Sequence, residues 1–310
     1  MFIENLITAA TNVGVLYIIV AVGYICDRMG IYTEETAKKT VNFLLYFVAS
    51  CTLINSFIKI DATPDTVGKF FTAFAFAVAT HVIAILLNTL TFRNKQNEKN
   101  AVYKFASIYG NVAFMALPLA QAVLGDEGVL YCVGGAVVFN LLTFTHGVKL
   151  MGKEGTKLNL KKLLINPGVI AVVIGLPIFI SGIELPYIVT RPIGMLADLN
   201  TPVAMLVFGT YLSKTDLKTM LFDRKIYGVA LMKLIVLPLI CMGVYYLCGL
   251  SGTLLTAVII TASVPSANNT FMFASVYGRD TATASKTVAL VSFLSILTMP
   301  VIIAITQMTW

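Results

Sequence analysis

Long apolar runs separated by short polar breaks dominate the chain, and the runs have the length of a membrane crossing rather than of a helix in a globular core. A helix needs about 20 predominantly apolar residues to span the hydrocarbon region. Scanning for runs of that order gives ten candidate spans, near residues 6–26, 41–58, 67–92, 101–124, 129–150, 168–183, 192–212, 226–247, 254–277 and 282–307. Little chain remains between them, which excludes a soluble catalytic or nucleotide-binding domain. No glycine loop of the kind that cradles phosphates points to ATP as an energy source.

Two of these runs are interrupted. The fourth carries Gly110-Asn111-Val112-Ala113-Phe114-Met115-Ala116-Leu117-Pro118 and the ninth Val264-Pro265-Ser266-Ala267-Asn268-Asn269-Thr270-Phe271-Met272. At membrane depth a broken backbone is tolerated only where protein buries it or it lines a cavity, so a matched pair of breaks points to the substrate site of a secondary transporter. The two stretches also resemble each other: Asn111 through Met115 aligns with Asn268 through Met272, with Asn, Phe and Met in register. The ninth span follows the fourth at an offset of five, an odd number, so the copies face opposite ways. The fold expected is an all-α polytopic membrane protein of two inverted five-helix repeats, 1–150 and 166–310, joined by a cytoplasmic linker at 151–165, with broken helices four and nine crossing near the midplane.

Half-helices that start at such breaks present unpaired N–H groups and a positive dipole end, which favours an anion and suits a carboxylate. Pro118 fits the first turn of the outer half of helix four, where its missing N–H costs nothing. Pro265 disrupts the hydrogen-bond ladder of helix nine, and Ser266, Asn268, Asn269 or Thr270 can cap the half-helix that follows. With Asn111 these form the candidate substrate-binding set. The same amides and hydroxyls can coordinate sodium, so H+ and Na+ both stand as coupling ions, and no cofactor is implied.

Composition and charge sharpen this. Hydrophobic residues make up 58% of the 310 and charged residues only 12%, far below the roughly 25% of soluble domains. Of 22 Lys and Arg residues, all but Lys59, Lys69 and Arg191 fall on one side of the predicted spans. By the positive-inside rule this places both termini outside a cell membrane. The net charge of +7 therefore describes loops facing an anionic leaflet and does not suggest nucleic acid. The first segment has no basic start or small-residue cleavage site and reads as a retained helix. Five scattered cysteines without CxxC spacing indicate packing residues, neither a disulfide framework nor a metal site. His81 and His146 are too few and too far apart in sequence to nominate a metal or a catalytic dyad.

Asp198, before Asn200-Thr201-Pro202, is the one acid inside a predicted span, either an interfacial or capping residue or a coupling and gating group. Lys233 either snorkels to the cytoplasmic surface or holds an anion on the inner pathway. No HExxH or GxSxG motif and no paired intramembrane aspartates occur, so an enzyme is not expected. Two alternatives remain: a sodium-coupled symporter or cation/proton antiporter on the same fold, and a membrane sensor that binds ligand without moving it.

Several motifs together resemble the auxin efflux carrier family, which includes plant auxin carriers and bacterial malate and malonate carriers. They are Gly110-Asn111 through Leu117-Pro118-Leu119, Val264 through Thr270 with Phe273-Ala274 and Tyr277-Gly278, Thr201-Pro202 with Gly209 and Leu212, and Leu237-Pro238-Leu239. The resemblance spans nearly the whole chain. It implies a fold similar to sodium/proton antiporters and bile-acid symporters, with helices 1, 2, 6 and 7 as scaffold and helices 3–5 and 8–10 as a moving transport domain. An elevator-like cycle, a small organic anion as substrate and a homodimer are further implications. Where relatives often carry a proline late in helix two, this chain reads Val48-Ala49-Ser50-Cys51, so no substrate contact is transferred to that position. The stretch from Gly152 to Lys162 is too short for the regulatory loop of plant members.

Overall fold

The computed structural model describes residues 2–92, 99–152, 166–214 and 223–308. Most of the predicted linker lies outside the described residues, as do Arg93, Lys95, Lys153, Lys157, Lys161, Lys162 and Lys218. The described residues are overwhelmingly helical: α1 (Phe2–Arg28), α2 (Glu34–Ile58), α3 (Pro64–Thr91), α4 (Lys99–Ile108), α5 (Val112–Met151), α6 (Pro167–Ser181), α7 (Tyr187–Ser213), α8 (Arg224–Leu247), α9 (Gly252–Ser263), α10 (Asn269–Val276) and α11 (Thr281–Gln307). Seven of these, α1, α2, α3, α5, α7, α8 and α11, are long and apolar enough to cross a membrane, and α6 and α9 are shorter apolar helices. Large apolar side chains such as Ile18, Val173, Ile188, Leu247 and Leu297 stand exposed around the perimeter. Such a surface is stable only against lipid, and the chain is a polytopic integral membrane protein.

The predicted fourth and ninth spans are each split where the sequence places a break. α4 stops at Ile108 and α5 begins at Val112; α9 stops at Ser263 and α10 begins at Asn269. The fourth and fifth spans, conversely, run on as the single element α5. Its 40 residues would measure about 60 Å if straight, roughly twice the hydrocarbon thickness. Gly125, at φ 71° and ψ −160°, interrupts it, in a region of backbone space open almost only to glycine.

Wide π-turns at Val112–Ala116 and Met232–Val236 directly precede Leu117-Pro118-Leu119 and Leu237-Pro238-Leu239. A proline within a helix lacks the donor for the carbonyl four residues back and crowds it. Relaxing the turn ahead of the ring accommodates both defects without ending the helix.

Small residues bring particular helices together. An added Cβ at Gly209 would lie 2.0 Å from the Val20 carbonyl oxygen, and one at Gly23 would lie 2.2 Å from that of Leu206, so α1 and α7 touch backbone to backbone. α5 packs on α3 through Gly134 against Phe74, and on α9 through Gly135 against Thr261 and a bond from Cys132 Sγ to the Ala257 oxygen of 3.3 Å. α2 lies along α6 and the first part of α7, where Phe57 meets Phe179. All five cysteines are free thiols.

Candidate functional site

The two breaks meet. Gly110 and Ser266 form an isolated antiparallel bridge: the Asn111 N–H donates to the Pro265 oxygen at 2.7 Å and the Ala267 N–H to the Tyr109 oxygen at 2.9 Å. Each break thus satisfies backbone groups of the other, as buried backbone requires. Ser266, fully buried, donates its hydroxyl to the Ala106 oxygen at 2.8 Å, in the last turn of α4. Asn111 is 5% exposed. The crossing therefore gathers four helix ends: the C-terminal ends of α4 and α9 and the N-terminal ends of α5 and α10.

Asn111, Pro265 and Ser266 lie in the crossing itself, while Asn268, Asn269 and Thr270 follow at the start of α10. The expected side-chain caps are not formed. Asn268 occupies the N-cap position with a helical backbone (φ −58°, ψ −24°) and makes no side-chain cap bond, because a capping side chain needs an extended backbone to reach the N–H groups ahead of it. Ser266 is committed across the crossing instead. Thr270 is fully buried, and its hydroxyl has no partner among the described residues. Pro118 is not in the first turn of its half-helix: α5 begins at Val112, and Pro118 follows the π-turn.

Beside the crossing, α2, α5 and α7 enclose a cavity of about 250 Å³. Pro118 and Asp198 line it, together with residues that sequence reasoning did not nominate: Thr52, Asn55, Gln121, Asn200 and the ion pair of Lys59 with Asp126 (3.2 Å). Asn200 is 2% exposed. Its amide donates to the Ala113 oxygen at 3.2 Å, tying α7 to the first turn of α5, while its own oxygen has no partner among the described residues. Asp198 is exposed. A signal was present for α2, where Thr52, Asn55 and Ser56 recur at helical spacing within an apolar run.

Two ionisable groups depart from expectation. Asp198 is not the only acid inside a helical span: α1 extends to Arg28, and Asp27 in its last turn is 5% exposed. It accepts from the Ser213 hydroxyl and pairs with Lys214 at 2.8 Å, fastening α1 to the end of α7. Lys233 does not snorkel. It is 2% exposed and its ammonium donates to the Ala262 oxygen at 3.2 Å, in the last turn of α9. Gly110 explains the room it has: a Cβ there would sit 2.9 Å from Lys233 Nζ. His81 Nδ1 lies 2.8 Å from the Ala77 oxygen of its own helix, and His146 Nδ1 lies 2.8 Å from the Tyr109 hydroxyl behind the crossing.

Comparison with known proteins gives a consistent picture. The family described as "Membrane transport protein" matches residues 8–162 and 156–303. An uncharacterized transporter of Methanocaldococcus jannaschii is 25% identical over 295 residues, covering 91% of this chain and 94% of that protein. A Rhizobium meliloti protein named "Putative malonate transporter" is 24% identical over 305 residues, covering 90% of each. The chain belongs to the membrane transport protein family, the auxin efflux carrier group that its two broken-helix motifs resemble.

Proposed function

We propose that the protein is a secondary carrier for small organic anions, mono- or dicarboxylates, bound between the crossing and the polar cavity beside it. The observation that carries this reading is the hydrogen-bonded meeting of Tyr109–Asn111 with Pro265–Ala267 next to a 250 Å³ cavity. That volume is below the roughly 300–1,000 Å³ of drug-sized sites, so a small substrate fits. Thr52, Asn55, Gln121 and Asn200 supply donors and acceptors, and Lys59 and Asp126 neutralise each other. Attraction for an anion then rests on the helix N-termini rather than on a dedicated arginine. The name of the Rhizobium meliloti relative makes malonate the first substrate to try.

Dividing α5 at Gly125, joining α4 to its first part and α9 to α10 gives ten spans in two inverted sets of five, with both termini outside. In this reading α1, α2, α6 and α7 form the scaffold, and α3–α5 with α8–α11 form the body that moves against it in an elevator-like cycle. The backbone-tight α1–α7 contact and the position of the cavity between α2, α7 and α5 support that division. A homodimer would steady the scaffold in the membrane.

Uptake of radiolabelled malonate, malate and monocarboxylates into proteoliposomes tests the reading. Wild-type protein should accumulate at least one carboxylate, and Asn111→Ala and Asn268→Ala should reduce its uptake while remaining folded. Binding without flux would make the protein a sensor, and unaltered uptake in both variants would refute the site.

A further inference from the structure

We infer that Lys233 is the fixed cation of the crossing: its ammonium neutralises the C-terminal end of α9 beside the break that follows α4, positions the site for an anion and leaves no place for a coupling sodium. Lys233 lies nine residues after Arg224, the first residue of α8, or about 13 Å along the helix axis, close to half of the hydrocarbon core. An ammonium at that depth is strongly unfavourable unless it is compensated. No carboxylate pairs with it among the described residues; its charged or titratable surroundings are Cys241 and His81.

Backbone supplies the compensation instead. Ala262 O, at 3.2 Å, belongs to the last turn of α9, where carbonyls carry the negative end of the helix dipole. Nζ also lies near Gly110, two residues beyond the end of α4, where an added Cβ would sit 2.9 Å from it. One ammonium thus bonds to the negative end of α9, in the second half of the chain, and sits at the break of the first half. Carbonyls at the C-terminal end of a broken helix are otherwise ready-made ligands for an alkali cation. With them covered by a tethered charge, the positive ends of α5 and α10 act on the substrate unopposed.

The first part of this inference is independent of the transport reading; only its effect on anions rests on it. The test is the melting temperature of purified protein in detergent, in sodium, potassium or choline chloride at equal ionic strength, for wild type, Lys233→Met and Lys233→Ala. Wild type should melt at the same temperature in all three salts. Lys233→Ala should melt lower and recover with added propylammonium, which replaces the lost stem and charge, whereas Lys233→Met should not respond to it. In proteoliposomes Lys233→Met should raise the KM for the transported carboxylate at least tenfold, with wild-type uptake indifferent to sodium. A sodium-specific rise in the wild-type melting temperature overturns the inference. So does a Lys233→Met protein that melts and transports like wild type. Should neither variant fold, the wild-type sodium comparison still decides. Absence of carboxylate uptake by wild type would instead refute the proposed function, leaving the salt and propylammonium results to judge Lys233.

Discussion

Replacing Gly209 by alanine adds one methyl group where α1 and α7 have no space for it. The new Cβ would lie 2.0 Å from Val20 O, 2.7 Å from Tyr24 N and 3.0 Å from Gly23 C. All three are backbone atoms of α1, so no side chain can rotate out of the way. Reaching the 3.4 Å of ordinary contact requires a separation of 1.4 Å at this point. A gap of 0.5–1 Å already forfeits a quarter to a half of the dispersion well, and the gap would extend along the length of the pair. Overpacking of this kind costs typically 1–3 kcal/mol, and the better helix propensity of alanine returns no more than about 1 kcal/mol. Gly14→Ala is the control, because nothing lies within 4 Å of a Cβ there and only the propensity gain remains. The propensity gain is common to both single-methyl variants and cancels, so they should differ by about 1–3 kcal/mol, read as melting temperature by intrinsic fluorescence in one detergent. Equal melting of the two proteins would refute the reading of Gly209 as a close-contact residue.

Gly125→Ala should destabilise by about 1–3 kcal/mol, because alanine cannot hold φ 71° with ψ −160° without strain; denaturant or thermal unfolding in detergent checks it. Asp280 caps α11 by accepting from the Thr283 N–H at 2.9 Å, and this bond is the main cause that holds its carboxyl below the usual range. Asp280→Ala should cost about 1 kcal/mol. Because the folded carboxyl is the stronger acid, that contribution is present above the unfolded carboxyl's range near pH 4 and is lost as pH falls through the folded value. Melting curves at pH 7 and pH 3 should show a smaller wild-type advantage over Asp280→Ala at the lower pH.

The positions of the two breaks were legible in the sequence because their cause is local: Gly110-Asn111 and Pro265-Ser266 cannot continue a helix in apolar surroundings without a partner. Which atoms would be that partner was not local. Ser266 reads as a capping residue from its neighbours, yet its hydroxyl serves Ala106, far away in sequence. Lys233 was misjudged for a related reason. A basic residue a few turns from a helix end is compatible with snorkelling or with burial, and the choice depends on the neighbouring backbone, here Ala262 and Gly110. The cavity was hidden because α2, α5 and α7 each contribute only a few polar residues to it. Only their assembly makes a site.

The bridge between Gly110 and Ser266 also bears on how the protein is made. During synthesis the first break enters the bilayer well before the second has left the ribosome. Until Pro265 arrives, the Asn111 N–H lacks its partner, and until Ala267 arrives so does the Tyr109 carbonyl. Unsatisfied groups in hydrocarbon cost several kcal/mol each, so the first half of the chain must be sheltered by water, translocon or chaperone. The crossing is therefore a late product of biogenesis, and truncation before residue 264 leaves an inserted protein whose central defect nothing in the chain can repair.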